Sequence, residues 1–353
     1  MIGRTYGVDL GTSVIKIYKK GKGIICNQKN IIALEKNSVL AIGDDAFAMY
    51  EKVPGNVRVT YPIKNGVIAD IANMEKLFNA LLKEISKGGK TRNAEYVIAI
   101  PMDITEVEKK AFIDLVDSSR ARKVKTVAKP IAAAVGAGLD VCNAKGAMIV
   151  DIGASTTEIA IISLGGIVVS KLLPIGGDTF NDAIVAAVKR NYNLLIGKKT
   201  ASKLKKVLGN ITKVADNVYA ISEEESSDMA ESEESHLTSL SVYGRDVLTG
   251  LPQKIIVESS LVVDAMSEGL EVIMEGIKGI LERTPPEISS DIIDSGIYIV
   301  GGSATIKGID DLVREHTGLK VNVSENPENV VVNGIGTIIE THDLSKAVCK
   351  IVK

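Results

Sequence analysis

The pattern of apolar and polar positions predicts two strand–turn–strand units that repeat along the chain. The first spans residues 6–18, where an apolar strand ends in Asp-Leu-Gly-Thr and a second strand begins at Val14. The second spans residues 147–162 and has the same order of apolar strand, Asp-x-Gly, hydroxyl residues and second strand. A glycine-bearing turn between two such strands predicts a hairpin with a polar tip. Its recurrence after about 140 residues indicates an internal duplication.

Apolar spacing elsewhere alternates between strand and helix. Thr105 followed by Glu108 forms the sequence of a helix-starting capping box. Such β/α alternation is typical of an α/β fold, with parallel-rich sheets that carry helices on their faces. The pattern predicts strands at 96–101, 124–127 and 297–300, and helices at 73–85, 104–117, 131–139, 178–192, 200–209 and 261–282.

Composition and charge fit a globular chain without a nucleic-acid surface. The 353 residues are enough for one large or two ordinary domains, and 45% are hydrophobic while 24% are charged. Lys and Arg number 42 against 44 Asp and Glu, for a net charge of −2. This near-balance lacks the basic excess typical of nucleic-acid binding, so we expect no nucleic-acid partner.

Cysteine usage and the apolar runs favour a cytoplasmic protein. Cys26, Cys142 and Cys349 are too few and too scattered for a disulfide framework. Apolar runs such as 292–300 are broken by polar residues well before the roughly 20 residues that span a bilayer. Residues 1–6 lead directly into a strand without the layout of a secretory signal.

Residues 222–235 differ in composition from the rest of the chain. They include seven Asp or Glu and five Ser, with no Lys or Arg. A segment this polar cannot offset its ordering entropy by burial, so we expect a solvated loop. Two interpretations stay open, a surface insertion without function and a loop for phosphorylation or partner docking.

The two hairpin tips carry chemistry suited to phosphate. Consecutive backbone N–H groups at a tip of small residues form a concavity that fits phosphate oxygens. Asp9 and Asp151 end their strands where they are placed to hold a hydrated Mg²⁺, which takes few protein carboxylates. One such tip is ordinary turn chemistry, but two predict a grip on one phosphate chain from both sides. Further hydroxyl donors are Thr12, Ser13, Ser155, Thr156 and Thr157.

A third glycine-bearing site follows the predicted strand 297–300. Gly301, Gly302, Ser303 and Ala304 supply a flat backbone surface on which an adenine ring can lie. Three such sites in this order predict a nucleotide bound between two halves of the molecule.

Several short stretches of the chain carry a family resemblance. They include residues 7–12, 20–24, 54–56, 65–70, 104–108, 132–139, 162–170, 176–178, 192–197 and 244–252. With these stretches, nearly the whole chain resembles the actin, sugar-kinase and heat-shock-chaperone ATPase superfamily, and within it the bacterial cell-shape actins of the MreB/Mbl family.

The resemblance implies an actin-like ATPase fold with two lobes and four subdomains, each lobe having a duplicated mixed β-sheet flanked by helices. Residues 1–145 would form the first lobe, with a small subdomain at about 32–66. Residues 146–330 would form the second, with a small subdomain at about 181–253 that contains the acidic segment 222–235. Residues 331–353 would return to the first lobe.

The resemblance also implies the ligands and the residues that contact them. The expected cofactors are ATP and Mg²⁺, the ion being held by Asp9 and Asp151, mainly through water. The expected nucleotide-binding residues are Asp9, Gly11, Thr12, Ser13 and Val14 in the first phosphate loop, Asp151, Gly153, Ala154, Ser155 and Thr156 in the second, and Gly177, Ser202, Lys205, Gly301, Gly302, Ser303 and Ala304 around the nucleoside.

By the same resemblance, the chain is expected to polymerise head to tail into filaments at the inner face of the cell membrane. There it would organise cell-wall synthesis and rod shape together with membrane-associated cell-envelope synthesis proteins. Peripheral contact with anionic lipid is a further expectation, a plain solvated loop being the alternative. The residues concerned are Lys87, Lys90 and Arg92, with Met1 and Ile2 as a small apolar anchor.

The chain departs from the family pattern at the expected catalytic position. Lys129 stands before Pro130 where the family has a glutamate that positions or activates water. An ammonium group only donates hydrogen bonds, so we expect ATP binding with slow or absent hydrolysis. In the alternative interpretation Lys129 turns into solvent and has no role.

Two further departures affect the phosphate loop and the nucleotide-facing helix. Ala154 and Ser155 replace glycines, and each added Cβ is expected to restrict φ and crowd the phosphate. Ser202 and Lys203 replace two glutamates, which removes an expected acceptor for a ribose hydroxyl.

Two alternatives to a self-sufficient filament former stay open. One is a hydrolysis-deficient accessory actin that co-polymerises with a paralogue and stabilises its filaments, which the substitution at Lys129 motivates. The other is a monomeric ATPase switch of the chaperone or kinase type.

Overall fold

The computed structural model describes residues 4–86, 93–212, 220–221 and 238–353, with only the backbone at 220–221. The acidic segment 222–235 lies outside the described residues, and so do Met1, Ile2, Lys87, Lys90 and Arg92. The expectations for a regulatory loop and for lipid contact therefore stay predictions.

The first part of the chain forms the predicted hairpin and alternating strands and helices. Both halves of the capping box between Thr105 and Glu108 are present. One predicted helix was too long, because its last turn ends at Gly136 and not at Leu139. The elements are β1 (Thr5–Leu10), β2 (Val14–Lys19), β3 (Gly23–Lys29), β4 (Ile32–Glu35), β5 (Ser38–Ile42), α1 (Gly43–Met49), β6 (Val57–Thr60), β7 (Ile63–Lys64), β8 (Val67–Ile68), α2 (Ile71–Ile85), β9 (Glu95–Ile100), α3 (Glu106–Ser118), β10 (Lys123–Ala128) and α4 (Lys129–Gly136).

The second part of the chain begins with the second predicted hairpin. Within the described ranges no helix combines the length and the apolar character that crossing a bilayer requires. The elements are β11 (Ala147–Ile152), β12 (Thr157–Ser163), β13 (Gly166–Leu173), α5 (Gly177–Tyr192), β14 (Leu194–Leu195), α6 (Lys198–Leu208), β15 (Ala220–Ile221), β16 (Ser239–Asp246), β17 (Pro252–Glu258), α7 (Ser259–Leu281), α8 (Pro286–Ser295), β18 (Ile297–Val300), α9 (Ile309–Thr317), β19 (Val321–Val323), α10 (Val330–Glu340), α11 (His342–Val348) and β20 (Lys350–Ile351).

Two large sheets share one strand order, which confirms the internal duplication. In the first, β3-β2-β1 is an antiparallel meander, and β9 and β10 then extend it in parallel. In the second, β13-β12-β11 is the meander, and β18 and β19 extend it in parallel. Strand β20 pairs with β10, so the end of the chain returns to the first sheet.

Two smaller sheets lie beside the large ones. In the half of the molecule that contains the first large sheet, β5-β4-β6 forms a small antiparallel sheet, and α1 packs against it. In the second half, β16 pairs with β14, β15 and β17, and this sheet runs to Glu258. The large and small sheets of each half give the α/β architecture that the sequence pattern indicates.

Helices α4 and α10 cross between the two large sheets. Helix α4 follows β10 of the first sheet but packs on β11 and β12, while α10 follows β19 of the second sheet but packs on β1 and β2. The two helices contact each other at Gly136 and Gly334. A Cβ at Gly334 would overlap the carbonyl of Ala132, and one at Gly136 would overlap that of Val330. Glycine is therefore required for the helices to approach this closely.

A shared apolar core surrounds this helix pair. It combines side chains of both large sheets, such as Val97 and Ile149, with Ala133 of α4 and Ile335 of α10, all at most 1% exposed. Burial of this layer holds the inner faces of the two sheets together, since each Å² of apolar surface removed from water stabilises the folded state by about 25 cal/mol.

The small sheet of the first half also contacts the start of α6. The backbone N–H of Lys198 donates to Oε1 of Glu51 at 3.1 Å. The Lys199 ammonium donates to the Phe47 carbonyl at 2.5 Å and lies 4.4 Å from the centre of the Phe47 ring. These contacts join the two halves a second time, away from the helix pair.

The contact between α4 and α10 predicts how two glycine substitutions differ. Gly334→Ala should lower the stability of the protein by about 1–3 kcal/mol or more, because the added methyl group overpacks the helix crossing. Gly279→Ala in α7 is the matched control, since its Cβ would meet no atom within 4 Å. Alanine there should be neutral or stabilising by up to about 1 kcal/mol. Thermal unfolding of both variants provides the measurement, and equal midpoints would contradict the close helix approach.

Candidate functional site

The first hairpin tip is a tight loop between β1 and β2. The N–H of Gly11 donates to the carbonyl of Val14 at 3.0 Å and closes the turn. The Asn30 side-chain amide donates to the Gly11 carbonyl at 2.8 Å and holds the loop from behind. With its carbonyls engaged in this way, the loop is fixed before any ligand arrives.

The second hairpin tip has the same closure. The N–H of Gly153 donates to the carbonyl of Thr156 at 2.8 Å. The start of α5 is attached to it, since the N–H of Asp178 donates to the Ala154 carbonyl at 2.6 Å. Neither Ala154 nor Ser155 has a positive φ, and the expected crowding of the phosphate by their Cβ atoms stays a prediction. The turn therefore accepts side chains at both positions without left-handed strain.

The two tips meet across a cavity of about 520 Å³. The hydroxyls of Thr12 and Ser155 are hydrogen-bonded to each other at 2.7 Å. Both duplicated loops thus lie at one point between the two large sheets. The volume is within the range of pockets that enclose small-molecule ligands and cofactors.

Most of the predicted binding residues line this cavity. Two do not: Ser155 contacts Thr12 beside it, and Ala304, which is 4% exposed, packs in the core of the second half. The predicted residues in the wall are Asp9, Gly11, Thr12, Ser13, Val14, Lys129, Asp151, Gly153, Ala154, Thr156, Gly177, Ser202, Lys205, Gly301, Gly302 and Ser303.

Gly301 has a geometric reason to be glycine. Its φ is +92°, and a Cβ there would overlap the Asp151 carboxylate and the Ile152 carbonyl. The loop after β18 therefore passes directly over the end of β11. The Ser303 hydroxyl then donates to the Gly153 carbonyl at 2.9 Å, which fixes this third loop to the second hairpin tip.

Lys129 is mostly enclosed and lies among carboxylates. Its ammonium lies 2.8 Å from Oδ2 of Asp151 and 3.4 Å from Oε1 of Glu158, and its side chain is 16% exposed. Within the described residues neither of those oxygens accepts a hydrogen bond of good geometry, so the ion pairs are their compensation. The alternative in which Lys129 turns into solvent was wrong, because an unpaired Lys129 would leave two carboxylates buried without a counter-charge.

The local charges act strongly on the pKa values of this cluster. Burial alone would lower the pKa of Lys129, but the carboxylates of Asp151, Glu158 and Asp9 raise it above its ordinary value. Burial raises the pKa of Asp9 and of Glu158, while Lys129 opposes this in both cases. Lys129 is therefore an ammonium group at neutral pH.

Two more lysines reach the cavity from opposite sides. Lys16 on β2 is 6% exposed and donates to the Glu328 carbonyl, and burial lowers the pKa of Lys16. Lys205 on α6 donates to the Gly177 carbonyl at 2.6 Å, and burial lowers the pKa of Lys205 to about 8. Both ammonium groups are directed at backbone carbonyls and leave donor capacity facing the cavity.

Sequence reasoning missed several charged residues of the wall, among them Lys16 and Glu158. The signal that reveals them is strand register, since Asp9 pairs with Lys16 across the first hairpin and Asp151 with Glu158 across the second. In each duplicated unit the strand-end aspartate thus faces a charged residue seven positions later. The other missed charged residues are Lys29, Asp178, Lys206, Lys307 and Glu328.

The predicted magnesium site agrees only partly with this arrangement. Asp9 and Asp151 supply the oxygen ligands that Mg²⁺ prefers. The Lys129 ammonium, however, already contacts Asp151 at 2.8 Å. Across the described ranges, no group of three or more His, Cys, Asp or Glu side chains is arranged to hold a metal ion. With Lys129 in place, these residues do not fit a magnesium ion shared by both aspartates.

Comparison with known proteins gives one consistent family. The chain is 39% identical to the cell shape-determining protein Mbl of Bacillus subtilis over 345 residues, covering 97% of this chain and 98% of that protein. It is 36% identical to the cell shape-determining protein MreB of Escherichia coli over 351 residues, covering 98% and 95%.

Solved structures agree with this relation. MreB5 of Spiroplasma citri bound to AMPPNP has a TM-score of 0.85 at 31% identity, with 98% of each chain covered. The same protein bound to ADP has a TM-score of 0.86. A MamK double helical filament, at 21% identity and a TM-score of 0.73, shares the actin-like fold. The family model described as MreB/Mbl protein matches residues 3–347, and the chain belongs to the MreB/Mbl family.

Proposed function

We propose that this chain binds ATP in the cavity between its two halves and assembles into filaments that act in cell shape. The observation that carries the proposal is the meeting of the two hairpin tips, with Thr12 and Ser155 hydrogen-bonded at 2.7 Å beside the cavity. Proteins of similar structure are described with AMPPNP and with ADP. The N–H groups of the two tips would hold the phosphates from opposite sides.

The nucleoside end of the ligand would lie toward the second half. Gly302 and Ser303 in the loop after β18 supply backbone surface for the base, and Ser202 and Lys205 face the same cavity from α6. Ser202 keeps a hydroxyl for the ribose where the family resemblance implies a carboxylate. Because the serine side chain is shorter than that of glutamate and carries no charge, we expect a weaker hydrogen bond to the ribose there.

Slow hydrolysis follows from the ammonium group at Lys129. A carboxylate accepts a hydrogen bond from water, whereas a charged lysine only donates. Glu158 does not substitute for it, because its Oε1 pairs with Lys129 and its Oε2 accepts from the N–H of Met102 at 3.2 Å. The site therefore favours retention of the triphosphate over its cleavage.

Self-association is supported by exposed apolar side chains at one end of the second half. Val247, Leu248 and Leu251, in the turn between β16 and β17, are 48%, 81% and 65% exposed. Neighbouring apolar residues exposed together mark a contact surface more often than single ones do. We propose that this turn packs against the next subunit in a head-to-tail filament.

The cellular setting is proposed from the relatives. Both the Mbl and the MreB relatives are named for determining cell shape. We propose that the filaments lie at the inner face of the cell membrane with membrane-associated cell-envelope synthesis proteins as partners, and that they organise wall synthesis and rod shape.

Sedimentation and phosphate release together test the filament proposal. The wild-type chain should pellet with ATP and with a non-hydrolysable analogue while releasing little phosphate. Lys129→Glu should raise phosphate release by roughly 10²- to 10⁴-fold, the usual contribution of a positioned general base. Lys145→Glu, the same charge reversal at an exposed loop residue, is the control and should leave release unchanged.

Three outcomes would contradict parts of this proposal. Phosphate release without pelleting would support a monomeric switch. Pelleting only in the presence of an MreB or Mbl relative would support an accessory role. An unchanged rate in Lys129→Glu would show that the lysine does not limit hydrolysis.

The exposed turn predicts a variant that separates assembly from nucleotide binding. Leu248→Glu should abolish pelleting, since a charge would be buried in the subunit contact. ATP affinity should stay unchanged because the turn is not part of the cavity wall. Val107→Glu is the control, since Val107 has 80% exposure on α3, against 81% for Leu248. Pelleting of Leu248→Glu at wild-type concentrations would place the subunit contact elsewhere.

Lys205 predicts proton uptake on nucleotide binding. Its pKa of about 8 in the free protein leaves less than half of it charged at pH 8.5. Nearby phosphate favours the ammonium form, so binding at pH 8.5 should take up as much as about three quarters of a proton and ATP affinity should fall as pH rises above 8. Calorimetry in two buffers of different ionisation enthalpy measures this uptake.

Matched variants of α6 separate Lys205 from other titrating groups. Lys205→Arg should remove its share of the uptake, because arginine stays charged throughout this pH range. Lys203→Arg, at an exposed position two residues earlier, should retain it. Equal uptake in the wild type and in Lys205→Arg would contradict the proposed contact.

A further inference from the structure

The carboxylates at the head of the cavity are grouped around the Lys129 ammonium, and Lys16 also acts electrostatically on Asp9 and Asp151. Lys129 lies within 2.8 Å of Asp151 and 3.4 Å of Glu158. It also interacts electrostatically with Asp9 of the other hairpin. Asp9, Asp151 and Glu158 are at most 8% exposed. The Lys129 cation thus lies among the carboxylates of both halves.

The hairpin register explains this convergence. Asp9 and Asp151 end equivalent strands, so the duplication brings them to the same cavity from opposite sheets. Lys129 begins α4, the helix that leaves the first sheet and packs on the second. The passage of α4 from the first sheet to the second therefore places the Lys129 ammonium near both aspartates.

This junction is where a bound magnesium ion would be expected to connect carboxylates and phosphates. Mg²⁺ requires nearly octahedral oxygen ligands at about 2.0–2.1 Å and keeps much of its water. The Lys129 ammonium contacts Oδ2 of Asp151 and so competes with that arrangement for one of the two aspartates. If Lys129 left without replacement, Asp151 and Glu158 would lose their ion pairs, which is unfavourable for buried carboxylates.

The balance of positive and negative side chains in the cavity wall is consistent with Lys129 acting as a permanent cation of the site. Six lysines and five carboxylates line it. A glutamate at position 129 would reverse this to five lysines and six carboxylates, a wall that repels a polyphosphate unless a divalent ion is bound. With lysine, the wall attracts the phosphates without added metal.

We propose that the Lys129 ammonium serves as the resident cation of this site, so that the chain binds a nucleoside triphosphate with little or no requirement for Mg²⁺. The proposal rests on the proposed nucleotide function and assigns the cation that accompanies it. Lys129 pairs with two carboxylates of the second hairpin, acts electrostatically on Asp9 of the first, and would face the phosphates with positive charge, which is the electrostatic role that a divalent ion would otherwise have.

The test measures affinity for a fluorescent ATP analogue with the nucleotide-free full chain, in excess Mg²⁺ and in excess EDTA. Wild-type affinity should differ by no more than about threefold between the two conditions. Lys129→Glu should bind at least about tenfold more weakly in EDTA than in Mg²⁺, since a divalent ion then has to supply the missing charge. Lys129→Arg, which keeps the charge, should behave like the wild type.

Lys206→Glu is the matched control for the same charge reversal in the cavity wall. Lys206 is exposed, lies on α6 and lines the same cavity. Its replacement should weaken binding by a similar factor in both conditions. Far-ultraviolet circular dichroism and thermal midpoints verify that each variant is folded. If a variant does not fold, the comparison of wild-type affinity in Mg²⁺ and in EDTA still tests the proposal.

The outcomes distinguish this inference from the nucleotide function on which it rests. Wild-type binding that needs Mg²⁺ would overturn the inference and leave ATP binding intact. Absence of binding in both conditions would overturn the proposed function and the inference with it. Equal Mg²⁺ dependence in Lys129→Glu and Lys206→Glu would show that position 129 has no special part.

Discussion

The close contact between α4 and α10 is the constraint on which the site depends. Only because Gly136 and Gly334 lack side chains do the two helices touch at their backbones. That distance sets how far apart the two large sheets lie, and so whether Asp9 and Asp151 reach one cavity. An apolar layer contributed by both sheets then makes the spacing rigid, since protein interiors are packed nearly as densely as organic crystals.

Electrostatics determine what this framework can do. Burial raises the pKa of the Asp9 and Glu158 carboxyls, and the Lys129 ammonium opposes this in both cases. Lys16 adds to the effect on Asp9, but Lys129 alone forms ion pairs with Asp151 and Glu158 among the described residues, so it links the stability of the site to its chemistry. The same ammonium that compensates Asp151 and Glu158 makes a poor partner for an attacking water. Under the proposed function, this one side chain would favour binding of the triphosphate and oppose its turnover.

Much of the fold was predictable because its signals are local. The hairpins, the capping box at Thr105 and most helix bounds follow from spacing within a few residues, and the structure confirms them. The duplication was visible because Asp-x-Gly recurs in an equivalent strand context. The family pattern then indicated which loops converge.

The remainder of the site was not predictable from such signals. Lys16 and Glu158 come into the cavity through strand register, which places each directly across from an aspartate. The environment of Lys129 depends on a helix that changes sheets, so spacing alone could not show whether it was buried or exposed. Ala304 packs in the core while its neighbour Ser303 lines the cavity, a difference of one position that spacing alone does not resolve.

The contacts between the first small sheet and α6 bear on how a ligand enters and leaves. Glu51, Phe47 and the two lysines at 198–199 join the halves through two hydrogen bonds and one cation–π contact. Such contacts contribute about 1 kcal/mol or less each at partly exposed positions. The outer rim is therefore held more weakly than the glycine-lined crossing of α4 and α10. A ligand in the cavity would be expected to enter and leave through this rim, with the helix crossing kept closed.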